Sequence, residues 1–213
     1  VPGFLEGLRA ECDRVGAVLI FDEVISGFRL GPGGAQERYG VKPDLTTFGK
    51  VIGGGLPIGA VGGHQAIMET LSPLGPVFHA GTLAGNPIAT AAGLAALNLL
   101  EPEVYTELEQ RASKLSSLLH DACSSAGVPA HFPRVGTLVG AYFGEGGPVR
   151  NFDDATTTDE ATYARFFHAM LNEGVAMAPG AYEALFVGLG HEDSVMTELA
   201  SAAQRAAVTA AQP

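Results

Sequence analysis

Ala17-Val18-Leu19-Ile20-Phe21-Asp22-Glu23 is an unbroken apolar run that ends on two acids. A run without polar alternation is how a strand covered on both faces of a parallel sheet reads, and ligands of such sheets gather at the carboxyl ends of the strands. The segment before it agrees. Phe4, Leu5, Leu8, Cys12 and Val15 recur at helical spacing over residues 3–15, and Gly16 supplies a stop. A helix feeding a buried strand predicts an α/β fold with a mostly parallel sheet.

Working outward, residues 26–44 are rich in glycine and proline and predict a loop with little regular structure. Residues 45–48 predict a short strand that leads into Lys50. Gly53-Gly54-Gly55 and Pro57 forbid a continuing helix there, and residues 58–61 predict a strand, with a helix near 65–71. Asn86-Pro87 pairs a preferred N-cap with a residue suited to the first helical position, so a helix over 88–100 is expected.

At Glu101-Pro102 the glycine-rich character gives way to a charged helical repeat with an apolar stripe of Val104, Leu108, Leu115, Leu118 and Leu119. Two domains are therefore expected, over 1–100 and 101–213. In the second, residues 135–143 predict a strand, 144–154 a polar loop, and Thr157 with Glu160 a capping box for a helix reaching Asn172. Gly174 stops that helix, 175–178 predict another strand, and 194–211 a final alanine-rich helix. The half reads as a smaller α/β domain.

With 12 basic against 23 acidic residues, the chain carries a formal charge of −11, which repels nucleic acid and anionic membranes. No apolar stretch has the length of a membrane span and no basic-then-apolar leader opens the sequence, so a cytoplasmic protein is expected. Cys12 and Cys123 read as buried, reduced thiols, and the six histidines show no metal-ligand spacing.

Three positions suggest chemistry. Side chains alternate along a strand, so Asp22 and Val24 share one face while Phe21 and Glu23 share the other. An aspartate at such a strand end can hold a cationic ring nitrogen or cap the following turn. Lys50, between glycine and apolar residues, is either a desolvated amine suited to Schiff-base chemistry or an ordinary solvated lysine. Gly81-Thr82 offers amides and a hydroxyl to a phosphate ahead of the helix after Asn86, or forms a plain tight turn; His79 beside it can bind a ligand or fill a polar niche. A nucleotide-binding loop is excluded, because Val51 stands where that motif needs Ser or Thr and Asp44 where it needs its first Gly.

The order and spacing of these positions resemble the class III aminotransferases that use pyridoxal phosphate. The resemblance is closest, toward the aminomutase branch of that family, in Pro43-Asp44-Leu45-Thr46-Thr47-Phe48-Gly49-Lys50-Val51-Ile52-Gly53-Gly54-Gly55-Leu56-Pro57 and in Leu74-Gly75-Pro76-Val77-Phe78-His79-Ala80-Gly81-Thr82-Leu83-Ala84-Gly85-Asn86-Pro87. General transaminases of the family carry Ser-Thr-aromatic-Gly-Gly-Asn-Pro in the second segment. The resemblance implies a fold type I pyridoxal-phosphate-dependent transferase, present as a partial large domain over 1–100 plus a small C-terminal domain over 101–213.

It further implies that Asp22 pairs with the pyridinium nitrogen, that Val24 packs on the ring, and that Lys50 bonds to the cofactor and shuttles protons. Gly81 and Thr82 would bind the cofactor phosphate of a neighbouring subunit, making a homodimer part of the site. Ala178-Pro179-Gly180-Ala181-Tyr182-Glu183-Ala184 is similar to the family's C-terminal active-site stretch and makes Glu183 a substrate candidate, although Gly180 stands where serine is expected and His79 where glutamine is. The implied reaction moves an amino group within one small substrate, with transfer to an external keto acid as the alternative. Family members carry further site residues ahead of the position matching Val1, so a catalytically silent fragment is a third expectation.

Overall fold

In a computed structural model describing residues 1–212, the chain divides into two compact units, Val1–Tyr105 and the remainder from Thr106. In the first, α1 (Phe4–Val15) ends on Gly16 in the left-handed conformation. Strand β1 (Ile20–Asp22) pairs in parallel with β2 (Leu45–Phe48), in register Asp22 with Thr47, and β2 pairs antiparallel with β3 (Ala60–Gly63). The first pairing is the parallel one expected, and the second makes the small sheet mixed. Leu19, Phe21 and Val41 form its core, with Leu5 and Cys12 of α1 packed against them.

A polar clasp fixes α1 to this sheet. Arg9 Nη1 donates to Asp44 Oδ2 at 2.8 Å, and the same oxygen accepts the Leu19 amide at 2.7 Å. Those two donors, the amide first, hold the Asp44 carboxyl below the usual carboxylate range.

The loop expected over 26–44 contains a helix, α2 (Gly34–Tyr39), started by groups remote in sequence. The carboxylate of Glu23 accepts from the Ala35 amide at 2.7 Å and from the Gln36 amide at 3.1 Å. Glycine and proline around it gave no local sign of that support.

Beyond β2 the chain makes a short 3-10 turn, Lys50–Gly53, followed by α3 (Gln65–Met68) and then α4 (Pro87–Leu97). Asn86 caps α4 as expected, its Oδ1 accepting the Ile88 and Ala89 amides at 2.9 and 3.2 Å. Turn and helix cross with backbones nearly touching: a Cβ on Gly93 would stand 1.9 Å from Ile52 O, and one on Gly54 2.4 Å from Ala92 O. Gly93→Ala gains about 1 kcal/mol of helix propensity but forces backbone apart at an overpacking cost of about 1–3 kcal/mol. Since the obstacle is a carbonyl and not a flexible side chain, the variant is expected to unfold at lower denaturant concentration than wild type. An unchanged midpoint would show that the crossing is loose.

The second unit is built on α5 (Pro102–Ser125), whose buried stripe includes Leu108, Leu115 and Leu119 as expected, together with Ala112, Ala122 and Cys123. Its thiol, pushed up to about 12 by burial, is inert at neutral pH. Against it pack α7 (Glu160–Asn172) and α8 (Asp193–Ala210), with Phe143 and Phe166 at the centre.

Several local expectations change here. The strand expected over 135–143 is broken by Gly136 and Gly140 into β5 (Arg134–Val135), β6 (Leu138–Val139) and β7 (Tyr142–Phe143), preceded by β4 (Ala130–His131). Positive φ at Gly136 turns a hairpin, and the pieces join different sheets, β4 with β7 and β5 with β6. The polar loop over 144–154 yields to α6 (Phe152–Thr156), capped by Asn151. The N-cap of α7 is Asp159, not Thr157, because Asp159 Oδ1 takes the Thr162 amide at 2.9 Å while Thr157 closes α6. Residues 175–178 form no strand, and the strand that does form, β8 (Leu185–Phe186), pairs with β6.

Candidate functional site

The ends of β1 and β2 bring together Asp22, Val24, Thr47 and Lys50. Alternation at the end of β1 acts as the sequence implies for burial: Phe21 and Glu23 are buried and Asp22 is exposed, with half-buried Val24 in the turn that follows the strand. Asp22 Oδ1 accepts two hydrogen bonds, from the Val24 amide at 3.1 Å and from Thr47 Oγ1 at 3.0 Å. The amide, then the hydroxyl, and more weakly the charge of Lys50 hold this carboxyl below the ordinary aspartate range. Asp22 thus caps its own turn through Oδ1, and its Oδ2 accepts no hydrogen bond from the described residues.

Gly49 lies against Val24, where a Cβ would approach Val24 Cγ1 to 3.2 Å, and its extended backbone delivers Lys50 in the left-handed region at φ 49°. That conformation is costly for any residue with a Cβ, and it is held by the 3-10 turn that α4 clamps. Lys50 is exposed; its apolar neighbours in sequence do not bury it within this chain, so of the two readings its surroundings here match the solvated lysine.

Glu23, on the opposite face, is the residue sequence reasoning undervalued. Only 1% of it is exposed, and besides the two amides of α2 its carboxylate accepts from Ser26 Oγ at 2.9 Å and Gln36 Nε2 at 3.2 Å. Gln36 Nε2 also donates to Thr46 Oγ1 at 3.0 Å. Alternation points Glu23 inward; its partners on α2, 12 or 13 residues away, leave no local signal. Thr47 was missed for a related reason: only the register that sets it opposite Asp22 reveals its part.

Gly81 and Thr82 lie in a turn, closed by the Ala84 amide on Gly81 O at 3.0 Å, ahead of the Asn86 cap. Thr82 is exposed and makes no hydrogen bond with the described residues, Asp22 and Lys50 included. His79 is likewise exposed. Around them the surface is apolar, with Phe78 81% and Ile88 70% exposed. Helix α4 is hydrophobic all round, and Leu94 on it is exposed in this chain like Ile88.

In the second unit, Glu183 is exposed and its Oε1 accepts the Gly180 amide at 3.2 Å. It stands at the edge of a largely apolar cleft of about 330 Å³ lined by Leu115, Leu119, Met170, Met177 and Leu199. Nearby, Tyr163 donates its hydroxyl proton to Ala178 O, which anchors the segment leading to Glu183.

The donor set at Asp22 suits a protonated heteroaromatic ring. One carboxylate oxygen accepts two donors from the protein, the other accepts none from the described residues, and the amine of Lys50 lies near enough to act on it. The aminotransferase class-III family model matches residues 1–189. A glutamate-1-semialdehyde 2,1-aminomutase of Pelotomaculum thermopropionicum is 52% identical over 206 residues, which are 96% of this chain and 47% of that protein. Among solved structures, a β-phenylalanine aminotransferase from Variovorax paradoxus superposes with a TM-score of 0.86 at 35% identity, covering 96% of this chain and 47% of that one. An omega-transaminase from Sphaerobacter thermophilus gives 0.80 at 33% identity, covering 97% and 48%. The chain spans about half the length of the relatives it matches.

Proposed function

The chain belongs to the class-III aminotransferase family, and from that premise we propose that it is part of a pyridoxal-phosphate-dependent aminomutase converting glutamate-1-semialdehyde into 5-aminolevulinate, a step toward tetrapyrroles. The observation that carries this reading is the 52% identity to an aminomutase across nearly the whole chain, against 33% and 35% for the two transaminases described above. The segment from His79 to Pro87 supports it, since it lacks the Ser-Thr-aromatic-Gly-Gly pattern of general transaminases.

Pyridoxal phosphate supplies an electron-withdrawing ring that stabilises negative charge on the substrate carbon bearing nitrogen. Asp22, kept ionised by its two donors, would accept the ring N–H through Oδ2 and hold that nitrogen protonated. Val24 would pack on the ring. Lys50 Nζ would anchor the cofactor covalently and, once released, carry protons to and from the substrate carbons. Gly81 and Thr82 would bind the phosphate belonging to a second copy, which fits their exposure and the apolar surface around them. Glu183 would face the substrate.

In this reading residues 1–100 are the C-terminal part of the large cofactor domain and 101–213 the small domain, the working form is a homodimer, and its place is the cytoplasm. No helix among the described residues is long and apolar enough to cross a membrane. The test is product formation by the complete gene product given glutamate-1-semialdehyde alone. Formation of 5-aminolevulinate without an added amino acceptor is expected. A strict requirement for an external keto acid would replace the aminomutase with an intermolecular aminotransferase, the activity for which two of the similar solved structures are named.

A further inference from the structure

Two pairs of adjacent polar residues lie side by side in the first unit, Asp22-Glu23 at the end of β1 and Thr46-Thr47 on β2, in a register that sets Asp22 opposite Thr47. Because side chains alternate, the pairs separate into two faces. On the buried face Thr46 and Glu23 are tied through Gln36, which donates to both. On the exposed face Thr47 donates to Asp22. The buried face belongs to folding; the exposed one belongs to the site.

Resting on the reading given under Proposed function, we propose that Thr47 is a positioning residue for cofactor recognition: its hydroxyl, with the Val24 amide, holds Asp22 Oδ1 so that Oδ2 faces the ring nitrogen.

The geometry leaves few other ways to orient this carboxylate. Among the described residues Asp22 is exposed, with no salt bridge, and Lys50 is the one charged group named as acting on it, the weakest of the influences. Without Thr47 a single amide contact remains, from a residue two positions along the same chain, about which the carboxylate can turn. Thr47 is different in kind, since it reaches Asp22 from the neighbouring strand and is itself held on both sides, opposite Asp22 in β1 and Val61 in β3. An Oδ1 already occupied by two donors also cannot compete for the ring N–H. The carboxylate then presents one acceptor in one direction, which is what a single N–H on a planar ring requires.

Thr47→Val tests this with little risk to the fold, because valine keeps the shape and suits a strand. Thr47→Ser restores the hydroxyl. Two measurements on the complete gene product separate this inference from the reading it rests on. In the cofactor-free protein, a carbon-13 titration of the Asp22 carboxyl should move upward toward the ordinary aspartate range in Thr47→Val and return to the wild-type position in Thr47→Ser. By equilibrium binding, the dissociation constant for pyridoxal 5′-phosphate should rise roughly tenfold in Thr47→Val, the scale of one hydrogen bond to a charged group, and fall back within about twofold in Thr47→Ser. Thermal unfolding of the cofactor-free variants should match wild type. An Asp22 titration and a dissociation constant both unaffected by Thr47→Val overturn the proposal, as does a serine variant that behaves like valine. If Asp22 shifts as stated while wild type retains no cofactor, it is the proposed function that fails.

Discussion

Lys50→Ala is expected to abolish amino transfer by the complete gene product while leaving the chain folded. Loss of the positioned proton carrier alone costs on the order of 10²–10⁴ in rate, and loss of the covalent anchor adds to it. Two measurements check the role. Turnover of glutamate-1-semialdehyde should fall to background, and borohydride treatment should fix the cofactor to the peptide containing Lys50 in wild type and to no peptide in the variant. Turnover above a tenth of wild type would remove Lys50 from the mechanism.

The backbone of Lys50 supplies an internal control. At φ 49° any residue with a Cβ is strained, alanine as much as lysine, whereas glycine is not. Lys50→Gly should therefore be as inactive as Lys50→Ala yet more stable by about 1 kcal/mol, read as a higher denaturation midpoint. If the two variants unfold together, the turn relaxes in solution and the left-handed conformation has no energetic weight. The comparison separates the chemistry of the amine from the geometry that delivers it.

Glu23→Ala is the substitution expected to damage the fold most. It leaves the Ala35 and Gln36 amides without their acceptor, together with Ser26 Oγ and one of the two bonds of Gln36 Nε2. Each buried donor left unpaired costs about 1–3 kcal/mol, so a total on the order of 3–5 kcal/mol is expected. No nearby side chain can take over: the space above Gly34 is filled by the Glu23 carboxylate, whose Oε2 lies 2.2 Å from where a Cβ would be. Glu23→Gln should be milder, since it keeps one carbonyl oxygen and presents a donor where the other stood. Denaturant unfolding gives the size of the effect, and hydrogen exchange at the Ala35 and Gln36 amides gives its place. Loss below 1 kcal/mol with those amides still protected would mean that α2 forms without this carboxylate.

Much of this was legible in the order of residues. Signals that act over one or two turns of chain came through, such as the apolar periodicity of α1 and α5, the Asn86-Pro87 start of α4, and the alternation that sends Asp22 outward and Glu23 inward. The same local reading failed wherever the deciding partner was remote. Helix α2 begins because of a carboxylate 12 residues back, and residues 135–143 break into pieces because Gly136 and Gly140 let them join different sheets. Thr157 lost its capping role to Asp159, a competition between near neighbours that composition cannot rank.

The sequence by itself determined the family, the strand end that carries Asp22, and the lysine that follows the next strand, because these are matters of residue type and spacing along one chain. The tertiary structure alone decided that Thr47 faces Asp22, that one carboxylate oxygen is saturated while the other is open, and that Lys50 is held in a left-handed turn by the crossing of α4. The physical reason is register. A hydrogen bond between strands depends on which residues come opposite one another, and the pairing of β1 with β2, 25 residues apart from Asp22 to Thr47, is fixed only when the sheet closes.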